Sequence, residues 1–241
     1  MVNKNNFSYW FKEIEKVSDK RIKIPKSLVF SVPKDIQECF YECNDVSTNK
    51  IGNWLESNVL PVIKKEIGTP FFFVKNARFS NKFDGSCFSY TTNLLHNVIN
   101  INYGALCLGA GGTEELVIRE WVGCDYSKVS KIYNGLPLRP EFRVFYDFDT
   151  KEVLYSANYW DPKYVEGRLW DKTDKVVFAS EKEYLKNVYE MFFIKVEEFV
   201  ADFMKDVNLE GKWSVDVLRD GCGDYWLIDM ALAEESAYWR G

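Results

Sequence analysis

The stretch WSVDVLRDGCGDYWLIDM, residues 213–230, contains the two acidic residues on which the interpretation of this chain depends. Trp213–Leu218 and Tyr225–Met230 are rich in β-branched and aromatic residues and flank a polar turn, which predicts a β-hairpin. Asp216 and Asp229 each lie between two apolar neighbours. If the strands pair, both carboxylates can point to one face, an arrangement that favours a divalent cation such as Mg²⁺. The alternative is that each Asp faces solvent on an alternating strand.

Outward from this hairpin, the order of predicted elements favours an α+β fold. Helices are predicted over Phe7–Val17, Asp35–Tyr41, Ile51–Ile67 and Glu181–Lys205. Strands are predicted over Lys26–Val32, Pro70–Lys75, Gly85–Tyr90, Leu116–Val122, Phe142–Tyr146 and Val153–Ala157. Connections are predicted over Asn76–Asp84 and Asp125–Arg139. Antiparallel hairpins beside one long helix suit an α+β protein with two lobes and a cleft.

Composition and charge exclude several classes of function. Of the 241 residues, 46% are hydrophobic and 28% charged, which is ordinary for a soluble globular protein. The net charge of −5 argues against an extended nucleic-acid interface, which requires a basic surface. There is no signal-peptide pattern and no run of about 18 apolar residues, so we expect a cytoplasmic protein without a membrane span.

The six cysteines and the single histidine form no catalytic or metal motif. Cys39 and Cys43 are four residues apart, but no second pair completes a zinc site. We expect six reduced, buried thiols. His96 lies in the polar stretch Thr91–Asn102 and would have to support any Ser-His-Asp or Cys-His mechanism alone.

Two groups of basic residues could bind phosphates. Lys75 ends an apolar strand, and Arg78 and Lys82 follow it in a small polar loop that can present cations and backbone N–H groups. The alternative is a solvated loop. Glu141 and Arg143 leave the same face of another strand, where an arginine can clamp a phosphate or a carboxylate. The alternative there is a cross-strand ion pair.

Taken in order, five segments between Pro70 and Trp239 resemble the ATP-grasp superfamily, in particular its small phage and bacterial proteins. The segments are Pro70–Lys75, Lys82–Gly85, Leu116–Val122, Glu141–Arg143 and the pair Asp216 and Asp229. They are similar to the family's first strand, phosphate-covering loop, adenine-holding hinge, phosphate-facing arginine strand and Mg²⁺-binding acids, respectively. The residues Trp10–Phe11 and Ser27–Pro33 also resemble, more weakly, the eukaryotic ATP-grasp chaperone that assembles translation initiation factor 2.

The resemblance implies an ATP- and Mg²⁺-dependent ligase that couples a carboxylate to an amine or thiol through an acylphosphate. Its N-terminal lobe, small lobe and large lobe would cover 1–69, 70–122 and 123–241. Arg143 and Lys82 would be catalytic, and Asp216 and Asp229 would bind metal. The nucleotide site would consist of Lys75, Lys82, Glu120, Trp121, Val122 and Glu141. The carboxylate and its amine, peptide or protein acceptor are not indicated, nor is the oligomeric state.

One departure from the family pattern leaves the chemistry open. The family usually has an asparagine two residues after the second acid, whereas this chain has Ala231, which cannot ligate a metal. Glu234 or Glu235 could take its place. Alternatively, the protein binds ATP with little catalysis and assembles a partner protein, as the chaperone does.

A different enzyme class would use the same lysine as a nucleophile. Lys82-Phe-Asp84-Gly85 matches the Kx(D/N)G pattern of RNA and DNA ligases, in which the lysine becomes adenylated. Glu166-Gly167 could serve as a later motif of that family. The acidic net charge disfavours a nucleic-acid substrate.

Overall fold

A computed structural model describes residues 3–17, 21–42, 44–123 and 128–241. Its α-helices are α1 (Phe7–Ile14), α2 (Lys34–Glu42), α3 (Asp45–Trp54), α4 (Leu60–Glu66), α5 (Leu94–Cys107), α6 (Pro162–Val165) and α7 (Lys172–Met204). Its strands are β1 (Ile22–Lys23), β2 (Ser27–Ser31), β3 (Phe71–Asn76), β4 (Phe88–Tyr90), β5 (Glu115–Glu120), β6 (Lys131–Ile132), β7 (Leu136–Pro137), β8 (Glu141–Asp147), β9 (Glu152–Asn158), β10 (Lys212–Arg219) and β11 (Tyr225–Leu232). The predicted α+β class is confirmed.

The chain divides into two compact units. The five-stranded unit contains Met1–Asn5, Tyr9–Pro25 and Val122–Gly241, and the four-stranded unit contains Asn6–Ser8 and Lys26–Trp121. The lobes over 1–69, 70–122 and 123–241 were predicted as functional parts of the chain, and they stay a prediction. By compactness, the helices α2–α4 belong with β3 and β5, because their apolar residues share one core with those strands.

In the five-stranded unit, the sheet has the strand order β1-β11-β10-β8-β9, and only β1 runs parallel to its neighbour. Phe142, Val144, Val215 and Val217 are fully buried at alternating positions on one face. That face packs against α7, where the ring of Phe142 stacks on Tyr189 with centroids 5.6 Å apart. Because side chains alternate along a strand, the predicted site residues of β8, β10 and β11 point to the opposite face.

Helix α7 begins nine residues earlier than the sequence pattern predicted. Asp171 caps its N-terminus by accepting hydrogen bonds from the backbone N–H groups of Thr173 (2.7 Å) and Asp174 (3.2 Å). Of the apolar residues in the first two turns, Phe178 is buried but Val176 is 71% exposed. The periodic pattern is therefore weak here, and the capping residue is the better signal of the start.

The four-stranded unit contains the antiparallel sheet β2-β5-β3-β4, covered on one face by α2–α5. The helix predicted over Ile51–Ile67 is interrupted by a π-helical turn, Leu55–Val59, in which the Leu60 N–H donates to the Leu55 carbonyl. Pro61 follows in the first turn of α4. Proline lacks the N–H that a continuous α-helix would need, so the interruption falls beside it.

Helix α5 was not predicted, because its sequence is rich in asparagine. The apolar residues Leu94, Val98, Ile101 and Ala105 are buried at helical spacing. Asn97, also buried, disguises this pattern, and its amide donates to the carbonyl of Phe88 at 2.6 Å. A buried polar side chain that is satisfied within the fold is thus indistinguishable in sequence from a loop residue.

The expectation of six reduced, buried thiols is wrong. Cys222 is disulfide-bonded, and Cys107 is exposed, whereas Cys39 and Cys87 are buried free thiols. Cys43 and Cys124 lie outside the described residues. None of the helices in the described ranges has the length and apolarity needed to cross a bilayer.

Candidate nucleotide and metal site

Asp216 and Asp229 lie directly opposite each other on β10 and β11. Residues paired in this way have Cβ atoms about 4.5–5.5 Å apart and point to the same face. Immediately beyond the pair the register shifts, so that Val217 faces Leu227, and Ile228 forms a bulge. The two carboxylates share one face, which is the first of the two arrangements that the sequence allowed, and their role as metal ligands stays a prediction.

Arg143 of β8 faces Asp216 in the register and forms a bidentate salt bridge with it. Its Nε donates to Oδ1 at 2.7 Å and its Nη2 to Oδ2 at 2.6 Å. The side chains of Arg143 and Asp216 are only 13% and 8% exposed. Of the two interpretations that the sequence allowed for Arg143, the structure shows the cross-strand ion pair.

The charge of Arg143 is fixed by its surroundings. Burial by itself disfavours the cation, but attraction and hydrogen bonding to Asp216 outweigh that cost and raise the pKa of Arg143 above its ordinary value. Asp229 and Glu141 raise it further. Glu141 is 5% exposed and lies two residues before Arg143, on the same face of β8. This face therefore carries three carboxylates around one permanent cation.

Aromatic rings and a segment near the end of the chain hold the guanidinium of Arg143 in place. The ring centroids of Tyr159 and Tyr238 lie 4.9 Å and 6.0 Å from its Cζ. The carbonyl of Ala237 accepts a hydrogen bond from Nη1 at 3.3 Å. Tyr238 has a positive φ of 74°, and its hydroxyl donates to the Tyr159 carbonyl at 2.6 Å. Burial raises the pKa of Tyr238 above its ordinary value.

The acid pair fits a Mg²⁺ ion that is also bound by a nucleotide. Mg²⁺ commonly takes one or two carboxylates and completes its octahedron with water and phosphate oxygens. Asp216 and Asp229 can provide the carboxylates, but both oxygens of Asp216 accept hydrogen bonds from Arg143. Ala231, on the same face two residues after Asp229, provides no ligand.

Glu234 and Glu235 do not replace the missing ligand in this conformation. They lie in a short 3₁₀ turn after β11 and are exposed. Within the described ranges, no three His, Cys, Asp or Glu side chains come together in the way a protein-only metal site requires. A metal held by Asp216 and Asp229 would therefore take its further ligands from water and the nucleotide.

The four-stranded unit presents two buried cations on the face of its sheet that is turned away from the helices. Lys75 is 3% exposed and Arg119 is 7% exposed. Arg119 lies directly opposite Phe73 in the register, and Lys75 is two residues after Phe73. All three side chains therefore lie on the same face of the sheet. The ring of Phe7 lies between the cations, 5.6 Å from Lys75 Nζ and 6.0 Å from Arg119 Cζ.

The loop after β3 is anchored by Asn76, which is completely buried. Its Oδ1 accepts from the backbone N–H groups of Arg78 and Phe79 at 2.9 Å and 2.7 Å, and its amide donates to the Gly111 carbonyl at 2.9 Å. Gly112 has φ 88°, and a Cβ there would lie 2.7 Å from Asn76 Oδ1. The loops 77–85 and 109–113 are thus fixed to one side chain, which requires glycine at 112.

Four other residues predicted to bind the nucleotide lie outside strand β3, which carries Lys75. Lys82 begins a 3₁₀ turn, Lys82–Asp84, in the anchored loop. Glu120 already uses its backbone N–H, which donates to the Lys26 carbonyl at 2.9 Å. Trp121 packs on Phe71 with centroids 4.7 Å apart. Val122 follows at the division between the two units. Their roles as hinge and nucleotide residues stay predictions.

Arg119 is the residue that the sequence reasoning missed. It lies in the middle of the apolar strand LVIRE, residues 116–120. Asp216 and Asp229 stand out because each is a charged residue with apolar neighbours in a strand. Arg119 has such a neighbour on its N-terminal side, and this partial match is the signal that could have identified it. Tyr159 and Tyr238 carried no such signal, because each approaches Arg143 only through the tertiary fold.

No family model and no curated protein sequence matches this chain. Among solved structures, it is similar to the VanG D-Ala:D-Ser ligase from Enterococcus faecalis (12% identity, 94% of this chain and 51% of that chain, TM-score 0.40). It is also similar to the D-alanine-D-alanine ligase from Coxiella burnetii (9%, 93% and 46%, TM-score 0.46). A third is the biotin carboxylase domain of the Hydrogenobacter thermophilus 2-oxoglutarate carboxylase (13%, 94% and 39%, TM-score 0.42).

These neighbours are ATP-grasp enzymes. The chain spans about half the length of the first two and 39% of the third.

Proposed function

We propose that this chain is an ATP-grasp protein that binds ATP with Mg²⁺ and activates a carboxylate as an acylphosphate. The observation that carries the proposal is the row across three strands in which Asp229, Asp216 and Arg143 stand side by side on one face. Buried charges are expensive and are rarely retained without a role. In a complex with a metal and a nucleotide, the carboxylates of this row would bind the metal and the arginine would bind phosphate oxygens.

Each residue has a defined task in this proposal. Asp229 and Asp216 would hold Mg²⁺, which would neutralise phosphate charge when bound. Lys75 and Arg119, which share one face of the four-stranded sheet, are the basic groups of that unit that we assign to phosphate oxygens. Arg143 stabilises the negative charge that develops on the transferred phosphoryl group.

The chemistry follows from phosphoryl transfer to a carboxylate. A carboxylate oxygen attacks the γ-phosphorus, the bond to the β–γ bridging oxygen breaks, and ADP leaves. An amine or thiol then attacks the acyl carbon, loses its proton, and phosphate departs. This scheme needs positioning and charge stabilisation more than a protein nucleophile, so it assigns no step to His96.

A calorimetric titration of ATP, with and without Mg²⁺, tests the proposal. We expect Mg²⁺-dependent binding to the wild type, and Asp229→Ala should weaken it by about tenfold or more, because a charge-assisted contact to the metal is lost. Glu152→Ala, at an exposed carboxylate of β9, is the control and should bind as the wild type does. If the folded wild type does not bind ATP, the proposal fails.

A second candidate function is ATP-dependent assembly of a partner protein with little turnover. Two observations favour it: Ala231 provides no metal ligand, and Arg143 already engages Asp216. The measurement is ADP release over a pool of amino acids and short peptides. Tight ATP binding with no ADP formed supports the assembly role, whereas substrate-dependent ADP supports the ligase.

A further inference from the structure

Helix α7 carries apolar side chains on two sides. The inner side is buried within the five-stranded unit and includes Phe178, Leu185, Val188, Val196 and Val200. The outer side carries apolar residues that are more than half exposed, namely Val176 (71%), Tyr184 (51%), Met191 (71%) and Ile194 (60%). A helix on the surface of a globular protein usually has one apolar face, which it turns to the core. The outer side of α7 is therefore a second apolar surface.

The outer apolar residues form one continuous stripe. At about 100° per residue, all four fall within a sector of about 80° around the helix axis, and the stripe they begin extends for about 33 Å. Exposed polar residues complete the sector between and beyond them, namely Ser180, Asn187 and Glu198. We call positions 180, 184, 187, 191, 194 and 198 the outer stripe. Their steps of four, three, four, three and four residues are the a/d spacing of a two-stranded coiled coil.

The charges beside the outer stripe favour a second α7 helix in parallel orientation. With Met191 at position a, Glu183 and Glu190 take the flanking g positions and Lys195 takes a flanking e position. In a parallel pair in register, Glu190 faces Lys195 of the second copy, and symmetry makes this contact twice. In an antiparallel pair, g positions face g positions, so glutamates would meet glutamates. Opposite charges at e and g positions set partner choice and orientation.

The next g and e positions, Glu197 and Asp202, are both acidic, but each is engaged within its own chain. Glu197 accepts a hydrogen bond from the Ser156 hydroxyl of β9 at 2.6 Å, so it is turned towards the sheet. Asp202 forms a salt bridge with Arg21 at 2.6 Å, which offsets its charge. The attractive contact at the centre of the stripe is thus not cancelled at its end.

Asn187 lies in the middle of the outer stripe and is exposed. In a parallel pair in register it would face Asn187 of the second copy, where an amide N–H of one can donate to the amide oxygen of the other. A single asparagine in an otherwise apolar seam fixes register and oligomeric state, at a cost in stability. The polar residue in the stripe is therefore compatible with this partner.

We propose that the outer stripe docks a second copy of this chain, with two α7 helices parallel and in register about a two-fold axis. The contact is isologous, because the same residues meet from both copies. A single helix pair lies at the low end of interface sizes, roughly 1,200 Å² or less, so we expect a weak, concentration-dependent dimer. The acid pair lies on the sheet face turned away from α7, so this interface does not involve it and does not depend on ATP binding.

The experiment is sedimentation velocity of the full-length protein at concentrations from about 1 µM to 1 mM, which cover weak affinities. All proteins carry Cys107→Ser, because the exposed thiol could form a disulfide-linked dimer. We expect a monomer–dimer equilibrium. Met191→Glu should weaken the dimer by about tenfold or more, because each copy would place an unpaired charge in an apolar seam. The control is Leu108→Glu, at a 72% exposed residue of the four-stranded unit, which should dimerise as the parent does.

Charge variants test the orientation. Glu190→Lys should weaken the dimer by about threefold to tenfold, because two exposed ion pairs become like-charge contacts. Glu190→Lys/Lys195→Glu should restore it, because the pairs form again with exchanged signs. In an antiparallel dimer, Glu190→Lys would instead strengthen association, because the new lysine would face glutamates. Circular dichroism and tryptophan fluorescence report whether each variant is folded.

Three results would overturn the proposal. The first is a parent protein that stays monomeric up to the highest concentration. The second is a folded Met191→Glu protein that dimerises as tightly as the parent, since the dimer would then use another surface. The third is a tighter dimer for Glu190→Lys, which would contradict the parallel arrangement.

Discussion

Replacing Arg143 by methionine should destabilise the five-stranded unit and, at the same time, make it dependent on a divalent cation. The substitution keeps much of the side-chain volume but leaves Asp216 without its bidentate partner. Asp229 lies directly opposite, so two carboxylates then face each other without the neighbouring guanidinium. Like charges repel, and Asp216, which is 6% exposed, cannot be hydrated freely.

The magnitude follows from the burial of the pair. With side chains 13% and 8% exposed, the Arg143–Asp216 salt bridge belongs to the buried class. Removing one partner of such a pair costs about 3–5 kcal/mol in the free energy of unfolding. The double variant Arg143→Met/Asp216→Leu should lose much less, because replacing both partners by apolar groups removes the uncompensated charge. Arg21→Met, which breaks an exposed pair, should cost no more than about 1 kcal/mol.

The assay is urea unfolding followed by tryptophan fluorescence, with and without Mg²⁺. A cation that binds only the folded acid pair stabilises it by about 1.4 kcal/mol when its concentration is about ten times its Kd. We therefore expect Mg²⁺ to restore part of the stability of Arg143→Met and to have a smaller effect on the wild type, where Arg143 competes for Asp216.

Two outcomes would refute this reasoning. If Arg143→Met is destabilised no more than Arg21→Met, the buried salt bridge contributes nothing to stability. If Mg²⁺ stabilises Arg143→Met and Arg143→Met/Asp229→Ala equally, the cation does not bind at the acid pair.

Three further predictions concern the glycine loop, the missing metal ligand and the thiols. Gly112→Ala should lower the free energy of unfolding by more than the roughly 1–2 kcal/mol that left-handed backbone strain costs alone, because its Cβ would also collide with Asn76. Gly109→Ala, where φ is positive but the space is open, should cost only that strain. Urea unfolding compares the two variants, and equal losses would contradict the collision with Asn76. Ala231→Asn should strengthen Mg²⁺-dependent ATP binding by about tenfold in calorimetry, and no gain would mean that residue 231 lies outside the metal site. Burial raises the pKa of the Cys87 thiol to about 12, so at pH 8 almost no thiolate forms. Peptide mass spectrometry should therefore show iodoacetamide on exposed Cys107 but not on Cys87, and rapid labelling of Cys87 would contradict its burial.

The strands were predictable because their signal is local. The runs around Phe72, Ile118 and Phe142 are apolar or β-branched and end at turn residues, and each forms a strand within one or two residues of its predicted bounds. Helix α5 was not, since its asparagines are satisfied by partners that are distant or internal to the helix. The amide of Asn76, for example, donates to Asn102 from a strand 26 positions away.

The sequence by itself determined that two carboxylates would lie on neighbouring strands of one hairpin, because each acid lies in an apolar strand beside the same short turn. That they share a face was decided by the register, since the bulge at Ile228 brings Asp229 opposite Asp216. Only the tertiary structure decided that Arg143 would neutralise Asp216, because β8 joins the sheet beside β10 through a contact 73 positions apart. The same is true of Lys75 and Arg119, which β5 and β3 bring together across their register. Local patterns specify which way a side chain points, whereas its partner depends on how the strands assemble.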